Sequence, residues 1–313
     1  MVHAIPRTTA HQAVPWDPIC TDDENPLKIH EFLCEVFSYL PYPSTEVSLV
    51  CKEWKVIHSD FYIARQKLRS VISLNHSEIQ KWIQIIKKKF GTTFTVTEII
   101  QKCPNLISLN LSGSLITDQE LAEIAKIELT RLKSLTLRNC CELIKPEFKD
   151  FKTIEFLDLS DCKSIEELEL RDLPFLKSLK SRECISLQHL EFANLPLLHN
   201  IDLSGAVFLK EAHFKGLANL YFLNLSECTL LTDPNFEGLT SLVYLYLNQC
   251  HSLDRPDFQS LSSLIQLELK ECDSLTTMNC QDLPSLKMLN LIGSSNVDRN
   301  SLNDLSEDVD IIS

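Results

Sequence analysis

LYFLNLSEC (220–228), LVYLYLNQC (242–250) and LIQLELKEC (264–272) follow one another at a spacing of 22 residues. The same pattern is found in LKSLTLRNC (132–140), IEFLDLSDC (154–162), LKSLKSREC (176–184), LHNIDLSGA (198–206) and LKMLNLIGS (286–294). A further copy, LISLNLSGS (106–114), precedes the others by 26 residues. These nine copies of L-x-x-L-x-L-x-x-C fix the expectation for two thirds of the chain. A fixed period of this length marks units that cannot bury an apolar face alone and must stack on their neighbours. Stacking gives a solenoid whose strand face is an extended binding surface.

Within each copy, positions four and six are expected to alternate inward as a short strand, with positions three, five, seven and eight facing out on the inner curve. The second half of each repeat is too short for a long helix, and extended, turn or 3₁₀ segments are expected there. It still keeps an apolar order, as in Leu168/Leu170/Leu173, Leu190/Phe192/Leu195, Phe236/Leu239 and Phe258/Leu261. The first repeat is longer, and its LITDQELAEIAK (115–126) reads as a helix capped by Thr117 or Asp118.

Position nine holds Cys140, Cys162, Cys184, Cys228, Cys250 and Cys272, but Ser114, Ala206 and Ser294 in the other copies. A slot for a small residue accounts for all nine; a metal or disulfide role accounts for six. Free Cys behaves as a small buried hydrophobe with a weak donor, so reduced thiols and a cytosolic compartment are expected.

Composition narrows the function further. The chain has 313 residues, 44% of them hydrophobic, and a formal net charge of −13. Residues 1–105 carry 12 Lys+Arg against 11 Asp+Glu, and the remainder 18 against 32, so the repeats hold the negative charge. That disfavours nucleic acid and anionic lipid as partners. No apolar run reaches the roughly 18–20 residues of a membrane span. A cleaved secretory signal is not expected from MVHAIPRTTAHQAVPWDPICTDDENP. Gly-rich phosphate loops, H-E-x-x-H, paired C-x-x-C and G-x-S-x-G motifs are missing from the sequence, and neither an enzyme nor a cofactor is expected. Cys20-Thr21-Asp22 spells the C-x-D triplet of a class of bacterial ubiquitin ligases, but it stands in the leader without their helical domain, and it reads as chance.

Five segments are expected: a flexible leader (1–25), a short helical domain (26–65), a helical linker and solenoid cap (66–105), the repeats (106–305) and an acidic tail (306–313) whose end frays. In the linker, 77–90 reads as an amphipathic helix capped by Ser77 and ended by Gly91, and 97–102 as a second short helix. In the helical domain Phe32, Leu33, Val36, Phe37 and Leu40 fall at helical spacing, and Pro41 and Pro43 stop that helix.

Glu31-Phe32-Leu33-Cys34-Glu35-Val36-Phe37-Ser38-Tyr39-Leu40-Pro41 and Ser48-Leu49-Val50-Cys51-Lys52-Glu53-Trp54 resemble the two strings of an F-box. The repeats resemble the cysteine-containing leucine-rich repeats that often follow one, CPNLISLNLSGSLITDQEL (103–121) most of all. The fold class implied is α/β: an N-terminal helical F-box-like domain followed by a curved leucine-rich-repeat solenoid of about nine repeats. The resemblance implies the substrate-recognition subunit of an SCF-type cullin–RING ubiquitin ligase. Its partners would be a Skp-type adaptor with the cullin ligase core, and an unknown target protein. The adaptor-facing residues carried over are Glu31, Phe32, Leu33, Val36, Phe37, Leu40, Val50, Cys51 and Trp54. Lys28-Ile29 stand where the family has Leu-Pro, which removes a contact from that surface. The near-invariant period and this altered start also fit a bacterial effector of the same architecture, acting in the host cytosol. The alternative is a repeat scaffold or effector with a degenerate F-box and no ubiquitin link.

The repeat register assigns the target to the inner curve. The residues singled out there are Phe156, Asp158, Arg182, Phe222, Asn224, Tyr244, Tyr246, Gln266 and Glu268, with Phe222, Tyr244 and Tyr246 as the aromatic anchors. Ser181 interrupts the pattern by taking an inward position.

Overall fold

The computed structural model describes residues 73–90 and 95–313. All of these fall in one of the two units into which the chain divides, Ala64–Ser313. The F-box-like strings, and with them Glu31, Phe32, Leu33, Val36, Phe37, Leu40, Val50, Cys51 and Trp54, lie outside the described residues, as do the leader and Gly91.

Positions three to five of every copy form a three-residue strand. These are β2 (Ser108–Asn110), β3 (Ser134–Thr136), β4 (Phe156–Asp158), β6 (Ser178–Lys180), β8 (Asn200–Asp202), β10 (Phe222–Asn224), β12 (Tyr244–Tyr246), β13 (Gln266–Glu268) and β14 (Met288–Asn290). They pair in parallel, each strand with its equivalent one repeat on, so that Leu223 lies between Ile201 and Leu245. The leucines at positions one, four and six are buried, because each is covered by the turns before and after it. The result is a parallel β-solenoid of about nine turns with one continuous apolar core.

The long sheet has eleven strands rather than nine. One extra strand, β1 (Ser73–Asn75), pairs in register with β2, Leu74 against Leu109. Its signal is visible in retrospect: ISLN at 72–75 repeats ISLN at 107–110. The other, β15 (Asp310–Ile312), pairs with β14, Leu289 against Ile311. The segment expected to fray therefore ends in a ladder strand, and Asp308 stands 22 residues after Leu286, in step with the period.

The first helix differs from expectation in its cap, whereas the cap expected at Thr117 is present. α1 (His76–Phe90) starts one residue early and is capped by Asn75, not Ser77. Asn75 Oδ1 accepts from the Glu78 amide at 2.9 Å and the Asn75 amide donates to Glu78 at 2.9 Å, so the last residue of β1 also closes the helix end. α2 (Val96–Gln101) and α3 (Asp118–Ala125) carry the same reciprocal box through Thr95 with Glu98 and Thr117 with Glu120.

The return half of the repeats is extended or turned. β5 (Glu167–Arg171) pairs with β7 (His189–Ala193), and β9 (Glu211–His213) with β11 (Asp233–Asn235). Under it Phe192, Phe214, Phe236 and Phe258 stack one per turn, with ring centroids 6.0, 6.3 and 5.7 Å apart. Offset aromatic stacking of this kind adds about 0.5–1.5 kcal/mol per pair beyond area burial.

The position-nine slot has a hydrogen-bonding reason as well as a steric one. Each thiol donates to the position-six carbonyl of the preceding repeat, as Cys162 Sγ to Leu137 O at 2.9 Å and Cys272 Sγ to Leu247 O at 3.1 Å. Ser294 Oγ does the same to Leu269 O at 2.6 Å. Burial pushes the Cys184 thiol up to about 11 and the Cys228 thiol up to about 12. Ser181 fits this scheme: its buried hydroxyl donates to Cys184 Sγ at 3.0 Å.

Candidate functional site

Position eight takes positive φ in all nine copies, from Gly113 through Asn139, Asp161, Glu183, Gly205, Glu227, Gln249 and Glu271 to Gly293. This left-handed residue turns the chain sharply out of each strand. Position five helps. Asn110, Asp158, Asp202, Asn224 and Asn290 each accept from the amide two residues on, at 2.9, 3.0, 3.2, 3.0 and 3.2 Å. The side chains of Asp158 and Asn224, expected on the binding surface, thus close their own turns with one oxygen.

What remains for recognition on the long-sheet face divides along the sheet. β1 to β3 present Ser73, Asn75, Ser108, Asn110, Ser134 and Thr136, all small and polar. The middle strands present charge that is largely self-paired. Arg138 reaches Asp161 at 3.1 Å, and Arg182 lies 3.7 Å from Asp202. Lys133 and Lys177 both reach Glu155 at 2.7 Å from either side, and these contacts hold its carboxyl well down, at about 2. Phe156 stands alone among them, between Ser134 and Ser178 and 49% exposed.

β10 to β14 gather the rest. Phe222 of β10 meets Tyr246 of β12 edge-on, with centroids 5.4 Å apart and planes at 82°. Tyr244 meets Tyr221 likewise at 5.4 Å. Tyr221, at position two and well exposed, was not among the expected residues, because only positions three, five, seven and eight were expected to face out. Tyr246 lies in register with Glu268, whose Oε1 accepts from Gln266 Nε2 at 2.8 Å. Burial pushes the Tyr246 phenol up, with Glu268 adding to it. Five of the nine expected residues, Phe222, Tyr244, Tyr246, Gln266 and Glu268, therefore form one patch; Phe156 is three strands away and Arg182 two. Among the described residues no group of His, Cys, Asp or Glu is arranged to hold a metal ion. None of the described helices is long and apolar enough to cross a membrane.

This register and core make a parallel β-solenoid of about nine turns that resembles leucine-rich-repeat folds. No family profile matches the chain, and no curated protein does. Among solved structures it is similar to InlP of Listeria monocytogenes, at 17% identity and a TM-score of 0.46 over 72% of this chain and 57% of that one. It is also similar to the leucine-rich repeat domain of the type III effector XCV3220 (XopL), at 17% identity and a TM-score of 0.37, over 90% and 88%. The functional domain of InlJ from Listeria monocytogenes, which includes a cysteine ladder, shares 16% identity at a TM-score of 0.25, over 74% and 60%. The chain spans less than two thirds of the InlP and InlJ chains.

Proposed function

We propose that the chain is a protein-interaction scaffold that holds a partner protein on the long-sheet face. The observation that carries this reading is the aromatic patch of Phe222, Tyr244 and Tyr246, half-exposed on adjacent strands of a sheet whose first strands present small polar residues and whose middle strands present mostly paired charge. Rigid aromatics on a preorganised sheet bury much area at low entropy cost, which is why such residues anchor interfaces. Phe222 packs on Tyr246 and Tyr244 on Tyr221, so each side chain is held in place before a partner arrives. The test is capture by the full chain against a Phe222→Ala/Tyr244→Ala/Tyr246→Ala variant of unchanged melting temperature. A partner captured equally by both would overturn the reading.

The finer reading is a substrate-recognition subunit of an SCF-type ubiquitin ligase. Its support is the pair of strings at 31–41 and 48–54, standing before a repeat array. In it, Glu31, Phe32, Leu33, Val36, Phe37, Leu40, Val50, Cys51 and Trp54 face a Skp-type adaptor. The repeats then hold a target near the charged ubiquitin carrier, and the catalytic gain is one of proximity. Arrays of buried free thiols suit a reducing compartment such as the cytosol. A purified pull-down with an adaptor–cullin complex decides the point: binding must occur, and Val50→Asp/Trp54→Ala must abolish it. A folded chain that ignores the adaptor remains a scaffold without a ubiquitin link.

A further inference from the structure

Position five of the long sheet is half-exposed in β10 and β12, yet Glu268 of β13 is only 6% exposed. A carboxylate is costly to bury unless it is fully paired. Here the pairing is half complete. Oε1 accepts from Gln266 Nε2 at 2.8 Å. Among the described residues Oε2 has no hydrogen-bonded partner and only Lys270 Nζ beside it, at 3.2 Å. The Lys270 side chain is itself 41% exposed, so the one cation over the carboxylate is free to swing into solvent. On the adjoining strand stands Tyr246, whose ring is fixed edge-on by Phe222.

We propose that this place is a socket for an arginine side chain of the bound partner. The guanidinium displaces Lys270, donates to Glu268 Oε2 and lies against the Tyr246 ring. Arginine fits better than lysine, because its planar, weakly hydrated guanidinium stacks on aromatic rings and donates in their plane at once. The surroundings favour a cation: Glu227, Glu271 and Asp310 lie on the same stretch of the face and are exposed. The net charge of −14 over residues 106–313 favours a basic partner at longer range. The proposal deepens the scaffold reading and rests on it, since the socket lies inside the same patch.

The experiment uses the full chain and a fluorescein-labelled dodecapeptide of repeating Gly-Ser-Arg, read by anisotropy at low salt, with the citrulline peptide as the uncharged isostere. Citrulline is expected to bind about tenfold more weakly, as is the arginine peptide to Glu268→Gln, the size of one charge-assisted hydrogen bond. Lys270→Ala is expected to tighten binding about fivefold, because the competing cation is gone. This exposed substitution keeps the test valid if Glu268→Gln does not fold. Lys270→Ala without tightening would overturn the socket, since a merely structural ion pair gives that result. So would a loss in Glu227→Gln/Glu271→Gln equal to that in Glu268→Gln, which marks diffuse attraction. In either case a partner still lost in the triple aromatic variant leaves the scaffold reading standing.

Discussion

β1 to β3 and β10 to β13 share one backbone register and one set of buried leucines, yet present opposite surfaces. Ser108 and Ser134 at position three are replaced, five strands on, by Phe222 and Tyr244. The inward positions are equally closed in both: Leu109, Leu135, Leu223 and Leu245 are all 0% exposed. The fold is held by the inward columns, which leaves the outward columns free to vary. Stability and recognition are thus written on alternate residues of the same strands.

The largest effect should come from the stack beneath the return half, which β1 to β3 lack. Phe236→Ala removes a ring stacked on both Phe214 and Phe258, and is expected to cost about 4 kcal/mol in chemical denaturation. Next, Leu109→Ala and Leu245→Ala should each cost about 3 kcal/mol. A loss confined to one of them would break the equivalence of the two regions. The outward column should behave in the opposite way. Tyr246→Ser is expected to cost about 1 kcal/mol or less in stability, through the lost ring pair, while weakening partner capture more than tenfold. Ser134→Ala on the other stretch should change neither.

Acid separates the charged middle strands from the uncharged face of β1 to β3. Glu155 titrates at about 2 when folded, below the ordinary 4.5, because Lys133 and Lys177 favour its charged form. Its contribution to stability is therefore complete above about pH 4.5 and is lost as the pH falls towards 2. A double Lys133→Met/Lys177→Met variant should lose that part of the acid limb when stability is followed against pH. The smallest effect expected is a gain. Glu227 adopts φ 62°, where Gly113, Gly205 and Gly293 serve in other copies, so Glu227→Gly should raise stability by about 0.5 kcal/mol.

The parts of the fold that were legible are those in which one turn is sandwiched between two others. There, each inward position is constrained from both sides, and Leu or a small residue is the only economical choice. The end turns have one neighbour, and the pattern relaxes: β1 is followed by His76 and Ile79 in place of Leu and Cys, and β15 is preceded by Asp308 in place of Leu. For that reason both strands escaped the pattern while their registers are plain in the ladder. The helix at His76–Phe90 shows the same thing at its start, since Asn75 caps it as a consequence of where β1 ends.

The site was legible as a list of faces but not as a set of contacts. Alternation alone put Phe222, Tyr244, Tyr246, Gln266 and Glu268 on the outward side. It could not tell that Asp158 and Asn224 spend an oxygen on their own turns, or that Tyr221 joins Tyr244 from position two. The solenoid, its period, its buried columns and its small-residue slot follow from the repeat alone, because a repeat of fixed length must present the same side chains to the same neighbours. That Glu268 is buried, half-paired and covered by Lys270 follows from the folded chain instead, because burial on an outward position depends on how tall the side chains are on the strands to either side.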